Sequence, residues 1–304
     1  MIVVDGLTKR YGKADEAAVD HVSFTIDAGD FVGYAGPNGA GKSTTIKMMT
    51  GILEPTEGKV TVDGLVPSKQ RRQLNQRTGV VFGQRTQLWW DLPLADSFEL
   101  TRRMYDQDPI EHTGHRDHLV DLLALGPLLS APVRTLSLGQ RMRAELAVAV
   151  TPRPRVLFLD EPTIGLDVDA KAEVRGFLAE LNATEGTTIL LTTHDVDDLV
   201  ALCRRLMIID HGKVISDGTV DELRTRYGTI RQLVVDLVRP GTIEVEGARV
   251  VRQEGRKVWI QFSRDEVTAP DLISRVMEAH EILDLSLEPP DLEDIIRRIY
   301  RGEA

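Results

Sequence analysis

Gly36-Pro37-Asn38-Gly39-Ala40-Gly41-Lys42-Ser43 fits the pattern G-x-x-x-x-G-K-S/T. The glycines let backbone N–H groups turn inward around phosphate oxygens, and a helix starting at Ser43 adds a positive dipole end. Lys42 sets a cation against β- and γ-phosphates, and the Ser43 hydroxyl can bind Mg²⁺. Thr44 is placed to reach an α-phosphate oxygen. A second group follows 117 residues after Ser43, where Val156-Leu157-Phe158-Leu159 ends in Asp160-Glu161. A buried parallel strand delivers its last residues into the crevice where ligands bind. There Asp160 can complete the Mg²⁺ shell, and Glu161 can orient and deprotonate a water attacking a γ-phosphate.

These residues need a sheet to carry them. Short apolar runs at Phe31–Ala35, Val80–Phe82, Val156–Leu159, Thr188–Leu191 and Leu206–Asp210 read as strands buried on both faces. Helical stretches lie between them, so the first ~225 residues are expected to be α/β. Val19–Asp27 partly alternates, as a half-buried antiparallel strand would. Residues from about 85 to 150 show helical periodicity and are expected to form a helical insertion. A different pattern begins near 229. Strand-like runs Leu233–Val238, Ile243–Val251 and Val258–Phe262 precede a helix over Asp271–His280, a strand at Leu283–Leu287 and a helix over Leu292–Tyr300. The expected division is 1–228 and 229–304, the second part being a small α+β domain.

Composition limits the partners. The 304 residues carry 37 Lys plus Arg against 47 Asp plus Glu, a net charge of −10. The acidity is spread along the chain, with no basic block, which argues against nucleic acid as the main partner. A single cysteine, Cys203, excludes an internal disulfide and fits a reducing compartment. No apolar run reaches the ~18 residues of a membrane helix. The N-terminus, MIVVDGLTKR, has polar breaks where a signal peptide would be apolar. A cytoplasmic location is expected.

With Leu136-Ser137-Leu138-Gly139-Gln140 the chain resembles the ATP-binding subunits of ABC transporters, over residues 1 to about 225. The family pattern there is Leu-Ser-Gly-Gly-Gln, so Leu138 is a departure, while Ser137, Gly139 and Gln140 are kept. On the residues alone, Ser137 is a good cap for a helix over Gln140–Val150, and a capped helix start can hold an anion. The resemblance implies more. This loop would close over ATP held by a second copy, giving a homodimer with two head-to-tail Mg-ATP sites. Tyr11 resembles the aromatic that stacks on adenine. Gln84 resembles the glutamine that touches Mg²⁺ and the attacking water. Gly165-Leu166-Asp167 resembles the loop between the two sites, and His194 the histidine that contacts the γ-phosphate. The fold implied is a P-loop NTPase head with an antiparallel β subdomain and a helical subdomain. The activity implied is ATP hydrolysis driving transport, toward export, through an integral membrane permease on a separate chain. The protein would then sit peripherally on the inner face of the membrane.

Three features admit two readings each. His112, His115 and His118 recur every three residues, as metal ligands on a helix face could, but Pro109 and Gly114 favour a polar loop entering a helix. Trp89 and Trp90 either face the membrane subunit or fill the helical core. The C-terminal domain is a regulatory, dimer-stabilising or ligand-sensing module, or a passive cover. A second function also fits such a head: a soluble ATPase of DNA repair, chromosome organisation or translation. The 53 residues from Gln84 to Ser137 leave no room for the long coiled coil of many such proteins, and one phosphate loop excludes a tandem head.

Overall fold

A computed structural model describes residues 1–12, 16–83, 85–227, 230–263, 266–288 and 292–301. The chain divides into two compact units, Met1–Asp217 and Gly218–Ala304.

The first unit opens with strands β1 (Ile2–Lys9), β2 (Val19–Ile26) and β3 (Phe31–Ala35), then helix α1 (Lys42–Met49) and strand β4 (Glu57–Val62). Strand β1 is central in an antiparallel sheet of order β2-β1-β4. Val22, Phe24 and Ile26 of β2 recur at every second residue and point inward, the signature of a sheet with one wet face. Next come α2 (Arg71–Asn75), β5 (Thr78–Phe82), α3 (Leu94–Met104), α4 (Pro109–Leu122) and α5 (Leu138–Val150). The unit is completed by β6 (Val156–Asp160), α6 (Val168–Glu185), β7 (Thr188–Thr193), α7 (Val196–Leu202), β8 (Arg205–Asp210) and β9 (Lys213–Thr219).

The main sheet has the order β5-β6-β7-β3-β8-β9. Its first five strands in that order are parallel. Val156–Leu159 and all of β7 are buried, as expected for strands covered on both faces. Parallel pairing brings the carboxyl ends of β6, β7 and β3 to one edge, and with them Asp160, Thr193 and Ala35. The chemistry-bearing residues all follow from these three ends.

Helices α3, α4 and α5 form the helical insertion. Here the structure corrects one expectation. Pro109 and Gly114 do not interrupt a helix: Asp108 caps α4, Pro109 occupies its first turn and Gly114 lies inside it. Proline is favoured at that position because its missing N–H would be unpaired anyway. His112 and His115 are buried on the α4 face, with His112 Nδ1 against Gln107 Oε1 at 3.1 Å. No cluster of three or more metal-ligating side chains occurs among the described residues.

The second unit holds α8 (Val220–Tyr227), β10 (Ile230–Leu237), β11 (Ala248–Glu254), β12 (Lys257–Ser263), α9 (Ala269–Ala279), β13 (Ile282–Glu288) and α10 (Leu292–Arg301). Its antiparallel sheet runs β11-β12-β10-β13. Leu272 and Val276 of α9 close a core over Leu233, Val235, Val258, Ile260 and Phe262. The expected strand over Ile243–Val251 splits. Ile243 joins the core from an irregular segment, Gly247 turns the chain at φ +82°, and β11 starts only at Ala248.

Candidate nucleotide site

The phosphate loop fills the gap between β3 and α1. Gly41 is the N-cap of α1, at φ +107°, and a Cβ there would stand 2.4 Å from the Ala18 carbonyl oxygen. Only glycine meets both demands. No side chain caps α1, so its first N–H groups remain directed at the loop's interior. Lys42 is 6% exposed, and its Nζ donates to the carbonyls of Gly36 at 2.5 Å and Pro37 at 3.1 Å. Burial holds its pKa below the ordinary lysine value, against the opposing pull of Glu161 and Asp160.

Asp160 ends β6. Its Oδ1 accepts from the Ser43 hydroxyl at 3.1 Å and the Thr192 hydroxyl at 2.7 Å. Glu161 follows at φ +58°, a left-handed conformation rare for a residue with a side chain. That kink is held by the Glu161 N–H donating to the Thr192 carbonyl at 2.9 Å. It aims the carboxylate back toward the loop, with Oε2 2.6 Å from His194 Nδ1 and Oε1 3.9 Å from Lys42 Nζ. A cavity of about 510 Å³ is lined by Asn38, Gly39, Gly41, Lys42, Ser43 and Thr44 on one side. Asp160, Glu161 and His194 line it on the other.

The remaining expected residues are placed as follows. Gly36, Pro37 and Ala40 belong to the loop backbone that holds Lys42. Ser137, Gly139 and Gln140 are not among the cavity's lining and stand together at the start of α5. There Ser137 Oγ accepts from the Gln140 N–H at 3.3 Å, while Gln140 Oε1 accepts from the Ser137 N–H at 2.9 Å. This capping box starts the helix at Leu138, two residues earlier than the sequence pattern implied. Tyr11 is 46% exposed and does not line the cavity; the Lys9 ammonium lies 5.7 Å from its ring centroid. Gln84 lies outside the described residues. Trp89 and Trp90 are 38% and 47% exposed, which excludes them as core fillers.

Two functional side chains escaped the sequence reading. Thr192 holds Asp160, and the β6–β7 register, which pairs Asp160 with Thr192, was the signal that could have found it. Asp198 is fully buried and accepts from Thr163 and, at 2.5 Å, from Arg175. It thereby ties the segment after Glu161 to α6 and α7. A carboxylate four residues past His194 on a helix face carried no distinctive pattern.

A glycine-lined loop at a helix start, a buried lysine and a paired hydroxyl and carboxylate define a P-loop nucleotide site. The donor set at Ser43 and Asp160 fits Mg²⁺, which takes hard oxygens from one or two side chains and the rest from phosphate and water. The comparisons with known proteins agree. Residues 19–164 match the ABC transporter family, and residues 218–300 match the C-terminal domain of DrrA1-3-like ATP-binding proteins. The daunorubicin resistance ATP-binding protein DrrA3 of Streptomyces coeruleorubidus is 33% identical, across 97% of this chain and 94% of its own. The linearmycin resistance ATP-binding protein LnrL of Bacillus subtilis is 30% identical across 96% of each. Among solved structures, a dimeric post-hydrolysis ATP-binding cassette, MJ0796 with ADP and Pi, matches with a TM-score of 0.66 and 25% identity. That match covers 72% of this chain and 99% of the other.

The chain belongs to the ATP-binding subunits of ABC transporters. It is an ATPase whose hydrolysis is coupled to transport, which sets aside the repair or translation reading. No helix among the described residues is long and apolar enough to cross a membrane.

Proposed function

We propose that two copies of this chain close head-to-tail around two Mg-ATP, and that closure drives export through a permease on a separate chain. In this reading the phosphate loop, Asp160 and Glu161 of one copy face Ser137, Gly139 and Gln140 of the other. The observation that carries it is the Glu161–His194 contact at 2.6 Å, set in the same cavity as the Ser43–Asp160 pair.

Glu161 is the general base. Its contacts with His194 and Lys42 direct the carboxylate at the γ-phosphate end of the loop, where it takes a proton from the attacking water. His194 holds that carboxylate and contacts the γ-phosphate. Lys42 transfers its hydrogen bonds from the loop carbonyls to phosphate oxygens, which gain a charge-assisted donor. Ser43, Asp160 and Gln84 would hold Mg²⁺, which would supply charge neutralisation for the phosphates. Tyr11 stacks on adenine, and Thr44 reaches the α-phosphate.

Assembly follows from what one copy lacks. Ser137 and Gly139 offer a helix N-terminus with no phosphate loop beside it, so their ligand comes from a second copy. The dimeric cassette among the solved structures supports that arrangement, and the resistance proteins among the relatives support export. The exposed Trp89, Trp90 and Leu92 offer an apolar surface to the permease, which would hold the ATPase on the inner face of the membrane. The C-terminal domain is an accessory module on this reading.

The test is Glu161→Gln. Turnover should fall roughly 10²–10⁴-fold, while ATP still binds and the variant accumulates as a dimer in light scattering. Near-normal turnover removes Glu161 as the base, and a strictly monomeric ATP-bound variant removes the composite site.

A further inference from the structure

Glu145 lies on the buried face of α5, two turns beyond the Ser137 cap, and is 5% exposed. A carboxylate in that position is costly unless donors surround it. Among the described residues no Lys or Arg forms an ion pair with it. Its partner comes from one short segment instead. The Gln87 N–H donates to Oε1 at 3.0 Å and to Oε2 at 3.1 Å. The next N–H, of Leu88, donates to Thr86 Oγ1 at 3.2 Å and closes the segment on itself. Burial pushes the Glu145 carboxyl above the usual range, and hydrogen bonding from this segment pulls the other way.

The same segment is fastened on its other side. The Gln87 side chain donates from Nε2 to the Val80 carbonyl of β5 at 2.6 Å. Strand β5 leads through Gly83 into position 84, and Leu88 is buried. A continuous chain of hydrogen bonds therefore runs from α5 through Gln87 to β5. At one end stands the Ser137 cap. Directly after Leu88 come the exposed Trp89 and Trp90.

We propose that Glu145 is a positioning residue that locks Thr86–Leu88 onto α5, so that this segment and the Ser137 cap move as one body. The inference rests on the composite-site reading above, because it gives the Ser137 cap a task in turnover. An apolar residue at 145 would pack without desolvation cost but would leave the Gln87 N–H unpaired. Neither Glu145 nor Thr86–Leu88 lines the nucleotide cavity. Releasing the segment should therefore affect assembly of the active dimer and not the binding of ATP to one copy.

The test compares the full chain with Glu145→Gln, which keeps the volume but turns an amide NH₂ toward the Gln87 N–H. Loss of hydrogen bonds to a charged group predicts about 10–100-fold faster amide exchange at Gln87. Turnover should fall about tenfold or more, with ATP affinity of the single copy within about threefold of the parent. Thr86→Val, which removes the acceptor of the Leu88 N–H and so loosens the same segment without touching α5, should give a smaller change in the same sense. It remains informative if Glu145→Gln does not fold. Parent-like turnover with accelerated exchange, unaltered exchange, or ATP affinity falling in step with turnover would each overturn the proposal. Glu161→Gln measured alongside separates the two readings. If it is inactive while Glu145→Gln is fully active, only the role of Glu145 fails.

Discussion

Two helix starts in this chain, those of α1 and α5, are built in opposite ways. Helix α1 begins at Gly41 with no side-chain cap, a buried lysine in its first turn and carboxylates across the cavity. Helix α5 begins at Ser137 with a full capping box and a first residue, Leu138, that is 36% exposed. Yet they share a trait. Among the described helices of eight or more residues, only α1 and α5 carry no acidic side chain in the first turn. The other six all do. An acid there would complement the helix dipole and repel a phosphate. The difference teaches that α1 lies in a cavity with its carboxylates already in place, whereas on the proposed composite-site reading α5 would supply one wall of a second copy's site.

The comparison breaks most easily at Lys42. Lys42→Ala deletes the one buried ammonium over the loop. Hydrogen bonds to charged groups contribute about 1.5–3 kcal/mol, so ATP affinity should fall about 10–100-fold in a single-copy titration. Unchanged affinity would mean that α1 is no more a phosphate site than α5 is.

Ser137→Ala probes the other helix. The Ser137 hydroxyl accepts from Gln140 N–H and still has its own proton to donate. Its loss should leave single-copy ATP affinity unchanged and lower turnover about tenfold, by the same hydrogen-bond arithmetic. It also removes the cap, at a cost of about 1 kcal/mol in unfolding free energy. A drop in single-copy affinity equal to that of Lys42→Ala would erase the distinction between the two helix starts.

The contrast also marks what was legible beforehand. Four fixed positions after a short buried strand announce the phosphate loop, because backbone geometry allows few alternatives there. Asp160 and Glu161 were legible because two acids end a buried strand in a chain that also carries a phosphate loop, a pairing that a merely solvated strand end does not explain. Thr192 was not legible, since its role comes from strand register and not from local pattern. His112 and His115 misled because Gly114 reads as a helix breaker, whereas on the exposed face of a well-capped α4 a glycine costs only roughly 1 kcal/mol. Ile243–Val251 misled for a related reason: alternation continues through Gly247, but a left-handed turn there ends the strand pattern.

The finest test concerns the one departure from the family's signature. Leu138 Cδ2 lies 3.0 Å from where a Cβ on Gly165 would stand. The leucine thus covers the turn Gly165-Leu166-Asp167, whose last residue caps α6 by accepting from the Ala170 N–H at 2.8 Å. Gly139 approaches the same helix, with a Cβ there meeting Ala170 Cβ at 3.0 Å. The start of α5 is therefore stacked on the start of α6, and leucine fills space that glycine would leave open. Leu138→Gly keeps the backbone N–H at 138 and removes only this packing. The lost apolar contact and the poorer helix former together should cost about 1–2 kcal/mol of stability. Turnover should stay within about threefold, because the N–H groups that the proposed dimer would turn toward the second copy's phosphate are retained. A turnover change beyond tenfold, with stability nearly unaltered, would instead assign the Leu138 side chain to the nucleotide interface. The α5 wall would then depend on a side chain where α1 depends on its backbone.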